Sequence, residues 1–278
     1  MKLGIMGAMP EEMDMIIAAI RQKEIVEHGS RIFYKGLLYD QEVVAVFSRW
    51  GKVAAATTAA SLITEFQVER MVFTGVAGGI APDVKVGDIV IAQRLFQHDM
   101  DARPLMRRFE IPLTGKTSFE IHPQDQKMMT EAVHQFLKED KTFRAKLLEN
   151  NIANPKLIVG DIASGDLFIS TSEMKNALLR NLPSVVCAEM EGAAVAQVCD
   201  DFGIPLTVVR VISDTADEED KESIMGFVNK HAGAYSLAIL KEYIGLLRKA
   251  SPDPSKGGKA SPDPSKEGRN PQPPKGGY

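Results

Sequence analysis

The sequence is poor in the features that mark several large classes of protein. It has two cysteines in 278 residues, Cys187 and Cys199, which is too few for a disulfide scaffold and favours the reducing cytoplasm. Its net charge of -4 lacks the basic excess that is typical of nucleic-acid-binding proteins. No apolar run approaches the roughly 20 residues that span a bilayer, and the acidic N-terminus does not resemble a secretory signal. We therefore expect a cytoplasmic protein that binds neither nucleic acid nor membrane.

The last 28 residues differ in composition from the rest of the chain. From Ser251 onwards the hexapeptide SPDPSK occurs twice, and no aliphatic residue is larger than alanine. Such a segment cannot bury enough apolar surface to offset its ordering entropy. We expect one folded domain over residues 1–250, followed over residues 251–278 by a disordered tail or an extension added for expression.

Segments typical of strands alternate with segments of helical periodicity between residues 1 and 250. Strands are predicted at 2–6, 31–39, 42–48, 71–74, 88–92, 157–163, 184–188 and 206–213. Helices are predicted at 11–22, 52–65, 125–138, 172–180, 192–202 and 222–248. This order predicts an α/β protein with a central β-sheet flanked by helices on both faces. Two adjoining strands form a hairpin, which makes the sheet mixed, and the polar stretch 138–155 is expected to be a helical surface excursion.

Carboxylates and glycine turns follow several of the predicted strands. Ligands of open α/β sheets bind at the carboxyl ends of strands, in the loops that come next. The loops at this position are 7–12, 75–79, 163–169, 189–192 and 211–217. Their glycines lack the spacing of a dinucleotide or nucleoside triphosphate site. The residues alone therefore predict a small-ligand site at the strand ends.

Each of these features also has a purely structural explanation. Glu11 and Glu12 are acids in the first turn of a helix, where the helix dipole favours them. Asp214 could cap a helix, and Glu189 and Glu191 could flank a helix start in the same way. The glycine turn at 75–79 could simply be a tight turn that needs positive φ.

His98 stands beside Asp99 and Asp101, a grouping that suggests a metal site. No second histidine and no cysteine lies nearby in the sequence, and metal sites usually combine several such ligands. We therefore interpret the segment as a solvated or hydrogen-bonded loop.

Six segments, taken in order, resemble one known family. They are GIMGAMPEEM, TGVAGG, VGDIVIA, ASGDLFI, AEMEGAAVAQVC and VRVISDTAD. The chain is similar over residues 1–250 to the 5′-methylthioadenosine/S-adenosylhomocysteine nucleosidases of the purine nucleoside phosphorylase superfamily, and GAMPEEM matches their hydrolytic branch. The resemblance implies an adenine-releasing hydrolase of methionine salvage that needs no metal and no organic cofactor. It also implies a homodimer in which the neighbouring subunit closes each 5′ pocket.

The resemblance implies catalytic roles for two carboxyl groups. Glu12 corresponds to the residue that holds and activates the attacking water. Asp214 corresponds to the general acid at purine N7, and Ser213 supports its position. Adenine is a poor leaving group as an anion, so the acid has to bring a proton, whereas the base has to be ionised.

The resemblance further implies a set of substrate-binding residues. Glu191 corresponds to the residue that binds the ribose hydroxyls, and Met190 packs against the sugar. Phe168 corresponds to the residue that stacks on adenine, and the backbone of Ile169 contacts the base edge. Arg210 is either a ribose partner or a structural one.

The sequence departs from the family pattern at several positions. Val76 stands where many members carry a serine, which weakens any phosphate site. Trp50 replaces a smaller aliphatic residue and could reshape the pocket near the 5′ substituent. Arg103, Arg107 and Arg108 could favour an anionic 5′ group, such as a homocysteine carboxylate or the benzoate of aminodeoxyfutalosine, although solvated surface arginines are the preferred interpretation.

Two other functions remain open at this point. A nucleoside phosphorylase on the same fold would use phosphate in place of water and would need convergent donors for the anion. A non-catalytic nucleoside-binding protein would keep the pocket, but binding alone does not require both an acid and a base.

Overall fold

The computed structural model describes residues 1–139, 148, 152, 154–215 and 221–250. Within these ranges the chain forms an α/β fold with one mixed sheet and helices on both faces, which confirms the predicted fold class. The tail at 251–278 and most of the stretch at 138–155 lie outside the described residues. None of the described helices has the combination of length and apolar character that a membrane span needs.

The strands alternate with helices for most of the chain. The strands are β1 (Leu3–Gly7), β2 (Arg21–His28), β3 (Arg31–Leu38), β4 (Gln41–Phe47), β5 (Arg70–Gly79), β6 (Ile89–Gln97), β7 (Phe119–Glu120), β8 (Leu157–Ser164), β9 (Val185–Glu189) and β10 (Leu206–Asp214). The helices are α1 (Pro10–Ala19), α2 (Lys52–Thr64), α3 (Pro123–Glu139), α4 (Ser172–Asn181), α5 (Gly192–Phe202), α6 (Lys221–Phe227) and α7 (Gly233–Ala250), with a π-helical turn at Val228–Ala232 between the last two.

Two predicted helices differ from the structure. The helix predicted at 11–22 ends at Ala19, and strand β2 begins at Arg21. Strand β2 is almost wholly exposed and carries no alternation of buried and polar residues, so periodicity could not reveal it. The helix predicted at 222–248 is interrupted by the π-helical turn, a feature without a sequence signature that often occurs at functional sites.

The sheet closes on itself at one side. The strand order is β10-β6-β8-β9-β5-β1-β4-β3-β2, and β10 also pairs with β5, so that five strands form a ring. Near its end, β5 pairs through Gly78 and Gly79 with Ala188 and Cys187 of β9. The ends of β5, β9 and β10 therefore lie together, which brings the loops that follow them to one place.

Two apolar clusters cover the two faces of the sheet. One contains residues of α2 and α5 such as Leu62 and Val195, and the other contains residues of α1, α3 and α7 such as Ile16. The start of β5 at 71–73 is fully buried and belongs to the core of the subunit. Cys187 and Cys199 are buried and free of disulfides.

Candidate active site

The strand ends surround a cavity of about 460 Å³, within the usual size of a small-molecule site. Nearly all of the site residues that the sequence suggested line it: Glu12, Trp50, Val76, Phe168, Ile169, Met190, Glu191, Ser213 and Asp214. Arg210 does not line the cavity but lies behind it. The structure thus brings together residues that are as far apart in the chain as Glu12 and Asp214.

Glu12 is held in a fixed orientation at the start of α1. Its Oε2 accepts hydrogen bonds from the backbone N–H groups of Ala8 (2.7 Å) and Met9 (3.0 Å), and its Oε1 accepts one from Val76 N–H (2.9 Å). Burial raises the pKa of Glu12, although these three bonds and the charge of Arg210 oppose the shift. A carboxylate with increased proton affinity and a fixed position is suited to act as a general base.

Gly75 makes room for this carboxylate. A Cβ added at Gly75 would lie 2.7 Å from Cδ of Glu12, closer than real Cβ contacts come. Its φ of +151° is also one that other residues rarely adopt. The position of Glu12 therefore requires a glycine at 75. The sequence alone offers only the need for a tight turn as an explanation for this glycine.

Glu191 occupies the N-cap position of α5 and is buried. Its Oε1 accepts a hydrogen bond of 2.8 Å from the backbone N–H of Gly51. Burial and the nearby charge of Glu189 raise the pKa of Glu191 to about 8, against the opposing effects of the Gly51 bond and of Arg210. The second carboxylate thus has a different environment from that of Glu12.

Glu189 and Arg210 form a buried ion pair beneath the cavity. Arg210 Nη2 donates to Glu189 Oε2 at 2.7 Å, and the guanidinium stacks over Phe73 at 4.0 Å from the ring centre. Glu189 also accepts hydrogen bonds from the hydroxyl of Ser164 and from the backbone N–H of Glu191 and Gly192. Of the two roles considered for Arg210, the structure supports the structural one.

The sequence predicts only a helix-flanking role for Glu189 and does not reveal its ion pair with Arg210. A signal for it exists in the Glu-x-Glu spacing at 189–191. Two acids at the end of a buried strand need a counter-charge, and Arg210 is the one basic residue in strand β10, which is buried throughout.

Asp214 ends β10 at an irregularity in the ladder. Ile212 pairs with Ala77 and Asp214 pairs with the next residue, Gly78, so that β10 has one extra residue; bulges of this kind often re-aim a side chain at an active site. Asp214 is buried, and the hydroxyl of Ser213 donates to its Oδ2 at 2.8 Å. Ser213 thus supports the position of Asp214.

The opening of the cavity is apolar. Trp50, Leu167 and Phe168 are each more than half exposed there, whereas Ile169 is buried. Residues of α6 and the π-helical turn form another wall: Ile224, Met225 and Val228. The sequence does not predict this wall, because the helical periodicity of 222–248 does not indicate that its first turns reach the strand ends.

The arginines of the loop after β6 are paired with neighbouring side chains. Arg103 Nε donates to Asp101 Oδ1 (2.8 Å), Arg107 Nε donates to Glu110 Oε2 (2.9 Å), and Arg108 Nη1 donates to Asn181 Oδ1 (2.6 Å). None of the three arginines lines the cavity. These arginines lie at the surface of the single chain, and a preference for an anionic 5′ group stays a prediction.

Of the two possibilities predicted for the segment of His98, a solvated or a hydrogen-bonded loop, the structure shows the hydrogen-bonded one, because the backbone N–H of His98 donates to the carbonyl oxygen of Ser164 at 3.0 Å in a turn. Its side chain is buried against Gly165, and its Nε2 has no hydrogen-bond partner among the described residues. Burial lowers the pKa of His98. Over the whole of the chain that the structure describes, no three His, Cys, Asp or Glu side chains are grouped in a way that would hold a metal ion.

The ionisable side chains that line the cavity are all acids. Glu12, Glu189, Glu191 and Asp214 all line it, and no lysine or arginine among the described residues does. Such a lining favours a reacting group that becomes positive and disfavours an anion such as phosphate.

Comparison with known proteins relates this chain to enzymes. The sequence profile of the phosphorylase superfamily matches residues 2–245. An aminodeoxyfutalosine nucleosidase of Helicobacter pylori is 36% identical over 235 residues, 83% of this chain and 93% of the relative. One of Campylobacter jejuni is 33% identical over 242 residues, 87% of this chain and 97% of the relative.

A solved structure shows the same fold. The 5′-methylthioadenosine/S-adenosylhomocysteine nucleosidase of Colwellia psychrerythraea in complex with adenine superposes with a TM-score of 0.79 at 32% identity. The match covers 89% of this chain and 96% of the Colwellia chain.

Proposed function

Because this chain belongs to the phosphorylase superfamily and to the nucleosidases within it, we propose that its cavity binds a 5′-substituted adenosine and hydrolyses the N-glycosidic bond. The observation that carries this proposal is the meeting of Glu12, Glu191 and Asp214 in one cavity, each with different hydrogen-bond partners. Hydrolysis of this bond needs a base, a group that orients the sugar and an acid, and the three carboxyl groups match these needs.

In the proposed reaction Glu12 takes a proton from the attacking water. The C1′–O bond forms as the C1′–N9 bond breaks, and the electron pair of the broken bond passes to adenine. Asp214 delivers a proton to N7, so that adenine leaves as a neutral molecule. The backbone N–H groups of Ala8, Met9 and Val76 hold the carboxylate of Glu12 in place during this step.

Glu191 accepts hydrogen bonds from the 2′- and 3′-hydroxyls of ribose in this proposal. The sugar develops positive charge in the transition state, and the acidic lining of the cavity stabilises that charge more than it stabilises the ground state. Met190 packs against the sugar, Phe168 stacks on the adenine ring, and the backbone of Ile169 contacts the base edge.

Hydrolysis is favoured over phosphorolysis by the same lining. A phosphate nucleophile would need convergent cationic donors, whereas the described lining residues offer four acids and no basic side chain. Val76 supplies a backbone N–H to Glu12 but no hydroxyl. Within the described residues, phosphate therefore has no evident site.

We propose aminodeoxyfutalosine, 5′-methylthioadenosine and S-adenosylhomocysteine as the substrates to compare. The names of the Helicobacter and Campylobacter relatives support the first, and the name of the Colwellia enzyme supports the other two. The apolar opening formed by Trp50, Leu167 and Phe168 suits a 5′ group with an apolar body. Turnover of 5′-methylthioadenosine would place the protein in methionine salvage.

A homodimer and a cytoplasmic location are also part of the proposal. The support for the dimer is the family resemblance, and Val53 (79% exposed), Leu105 (87%) and Leu113 (94%) are large apolar side chains that a second subunit would cover. Two buried cysteines without a disulfide are usual in a reducing compartment. Light scattering after size-exclusion chromatography tests the dimer, and a mass of one chain would refute it.

The experiment for the catalytic proposal compares wild-type protein with Glu12→Gln. Adenine release from the three substrates is followed by chromatography. We expect turnover by the wild type and a loss of about 10²–10⁴-fold in the variant, as is usual when a general base is removed. A variant with wild-type turnover would refute the role of Glu12.

A further inference from the structure

Three charged residues outside the cavity form a closed ring of hydrogen bonds, called here the Lys52–Asp99–Asp166 ring. The backbone N–H of Lys52 donates to Asp166 Oδ1 at 2.7 Å, and the backbone N–H of Asp166 donates to Asp99 Oδ2 at 2.9 Å. The ammonium group of Lys52 donates to Asp99 Oδ1 at 2.6 Å and closes the ring. Lys52 donates two of these bonds, Asp99 accepts two, and Asp166 donates one and accepts one. Each residue is therefore bonded to both of the others, and the three positions constrain one another.

The ring joins the connections that follow three different strands, and Lys52 lies where one of these connections enters helix α2. Lys52 comes after β4, Asp99 comes after β6, and Asp166 comes after β8. The ion pair between Lys52 and Asp99 is largely shielded, with side-chain exposures of 17% and 27%. Burial alone would raise the pKa of Asp99, but the bonds from Lys52 and Asp166, with the charges of Lys52 and His98, hold it below its usual value. The carboxylate of Asp99 therefore remains ionised and bonded throughout the neutral pH range.

Two of these connections carry groups that belong to the cavity. Gly51, directly before Lys52, donates its N–H to Glu191 Oε1, and Trp50 lies one residue further back at the opening. Phe168 comes two residues after Asp166 in the same loop. Gly51 is packed closely on Asp166, since a Cβ added to it would lie 3.0 Å from Asp166 Oδ1. A displacement of Asp166 would thus be transmitted to the N–H that bonds Glu191.

We propose that the Lys52–Asp99–Asp166 ring is a positioning device that holds the Gly51 N–H on the carboxylate of Glu191. The Gly51 bond lowers the proton affinity of Glu191 against the effect of burial. By holding this bond in place, the ring allows Glu191 to stay ionised to a lower pH. The ring also fixes Trp50 and Phe168 relative to each other across the opening. None of the three ring residues lines the cavity, and they act through Gly51 and the loop of Phe168. The catalytic consequence rests on the proposed function, whereas the effect on Trp50 does not.

The test uses Asp166→Ala, which removes the acceptor of Lys52 N–H, and Asp166→Asn, which keeps an acceptor oxygen at the same place. Lys52→Met provides a second route, because it removes the ammonium group but retains the aliphatic stem. Asp200→Ala is the matched control, since it breaks an exposed ion pair with Lys116 at the far end of α5. Thermal melting verifies that each variant is folded.

The first readout needs no substrate. Trp50 is the single tryptophan of the chain, so fluorescence anisotropy and acrylamide quenching report directly on the loop next to Gly51. We expect Asp166→Ala and Lys52→Met to lower the anisotropy, because the loop of Trp50 gains mobility, and to change the quenching little, because the indole is already more than half exposed. We expect Asp166→Asn and Asp200→Ala to resemble the wild type. Unchanged anisotropy in Asp166→Ala would overturn the proposal.

The second readout is the pH dependence of kcat/KM for adenine release. Loss of the Gly51 bond raises the proton affinity of Glu191, so the acidic limb of the profile shifts to higher pH by about one unit in Asp166→Ala. Asp166→Asn is expected to restore the wild-type limb. If the acidic limb of the kcat/KM profile of Asp166→Ala does not shift although Trp50 becomes more mobile, the proposed effect of the ring on Glu191 is overturned. Absence of turnover in the wild type would refute the proposed function instead, and the fluorescence would still decide whether the ring holds the loop.

Discussion

The substitution Glu191→Gln tests whether the buried carboxyl group of Glu191 lowers the free energy of unfolding of the protein as the pH rises. Burial and the neighbouring charge of Glu189 raise the pKa of Glu191 from 4.5 to about 8 in the folded protein. Because the folded-state pKa lies above the unfolded one, the associated stability is complete below about pH 4.5 and is lost as the pH rises through about 8. Each pKa unit corresponds to about 1.4 kcal/mol, so the full effect is on the order of 5 kcal/mol.

A glutamine at this position does not titrate, and its amide oxygen can still accept the N–H of Gly51. We therefore expect the free energy of unfolding of Glu191→Gln to exceed that of the wild type by an amount that grows with pH. The difference is expected to be small near pH 5 and to reach several kcal/mol at pH 9. Adenine release by the same variant is expected to fall, because the amide cannot replace a carboxylate as a double acceptor of the ribose hydroxyls.

Urea unfolding at pH 5, 7 and 9 measures the free energies. Glu27→Gln, on the exposed strand β2, is the control for loss of one carboxyl group, and a change within about 0.5 kcal/mol is expected there. A constant difference between Glu191→Gln and the wild type across this pH range would refute the reasoning, because it would show that Glu191 titrates alike in the folded and unfolded states.

Three further substitutions address other parts of the site. Asp214→Asn is expected to keep most of the affinity for substrate but to lose at least about 10²-fold in kcat, and near-normal turnover would remove Asp214 from the role of acid. Gly75→Ala places a Cβ against the carboxylate of Glu12, so we expect kcat to fall while adenine binding, measured by titration calorimetry, is retained. An unchanged kcat would contradict the argument that Gly75 allows Glu12 its position. Arg210→Met leaves Glu189 buried without its counter-charge, so we expect the free energy of unfolding, measured with urea, to fall by about 3–5 kcal/mol. A variant as stable as the wild type would contradict this role of Arg210 and would show that other groups neutralise Glu189.

Much of the fold could be predicted from the sequence, because most strands and helices carry their own hydrophobic pattern. Helix α5 was predicted with its observed bounds, Gly192–Phe202. Strand β2 was not predicted, since it is stabilised by pairing with β3 and buries little of its own surface. A strand held by its neighbour through backbone hydrogen bonds leaves no periodicity in its side chains.

The positions of the candidate site could also be predicted, whereas the contacts between them could not. The motif residues Glu12, Glu191 and Asp214 all line the cavity. Their environments depend on residues far away in the chain, such as Gly51, which bonds Glu191 from 140 positions earlier. No local pattern encodes such a contact, and only the arrangement of the strand ends shows that Glu189 pairs with Arg210.

The central claim is that this chain is a hydrolase, and the most direct test is adenine release from aminodeoxyfutalosine and 5′-methylthioadenosine, with and without added phosphate. The acidic cavity predicts turnover in phosphate-free buffer, with ribose bearing a free C1′ hydroxyl as the second product and no gain in rate when phosphate is added. Turnover that depends on phosphate, with a ribose 1-phosphate as product, would contradict the account and would remove Glu12 from its role as the base that activates water.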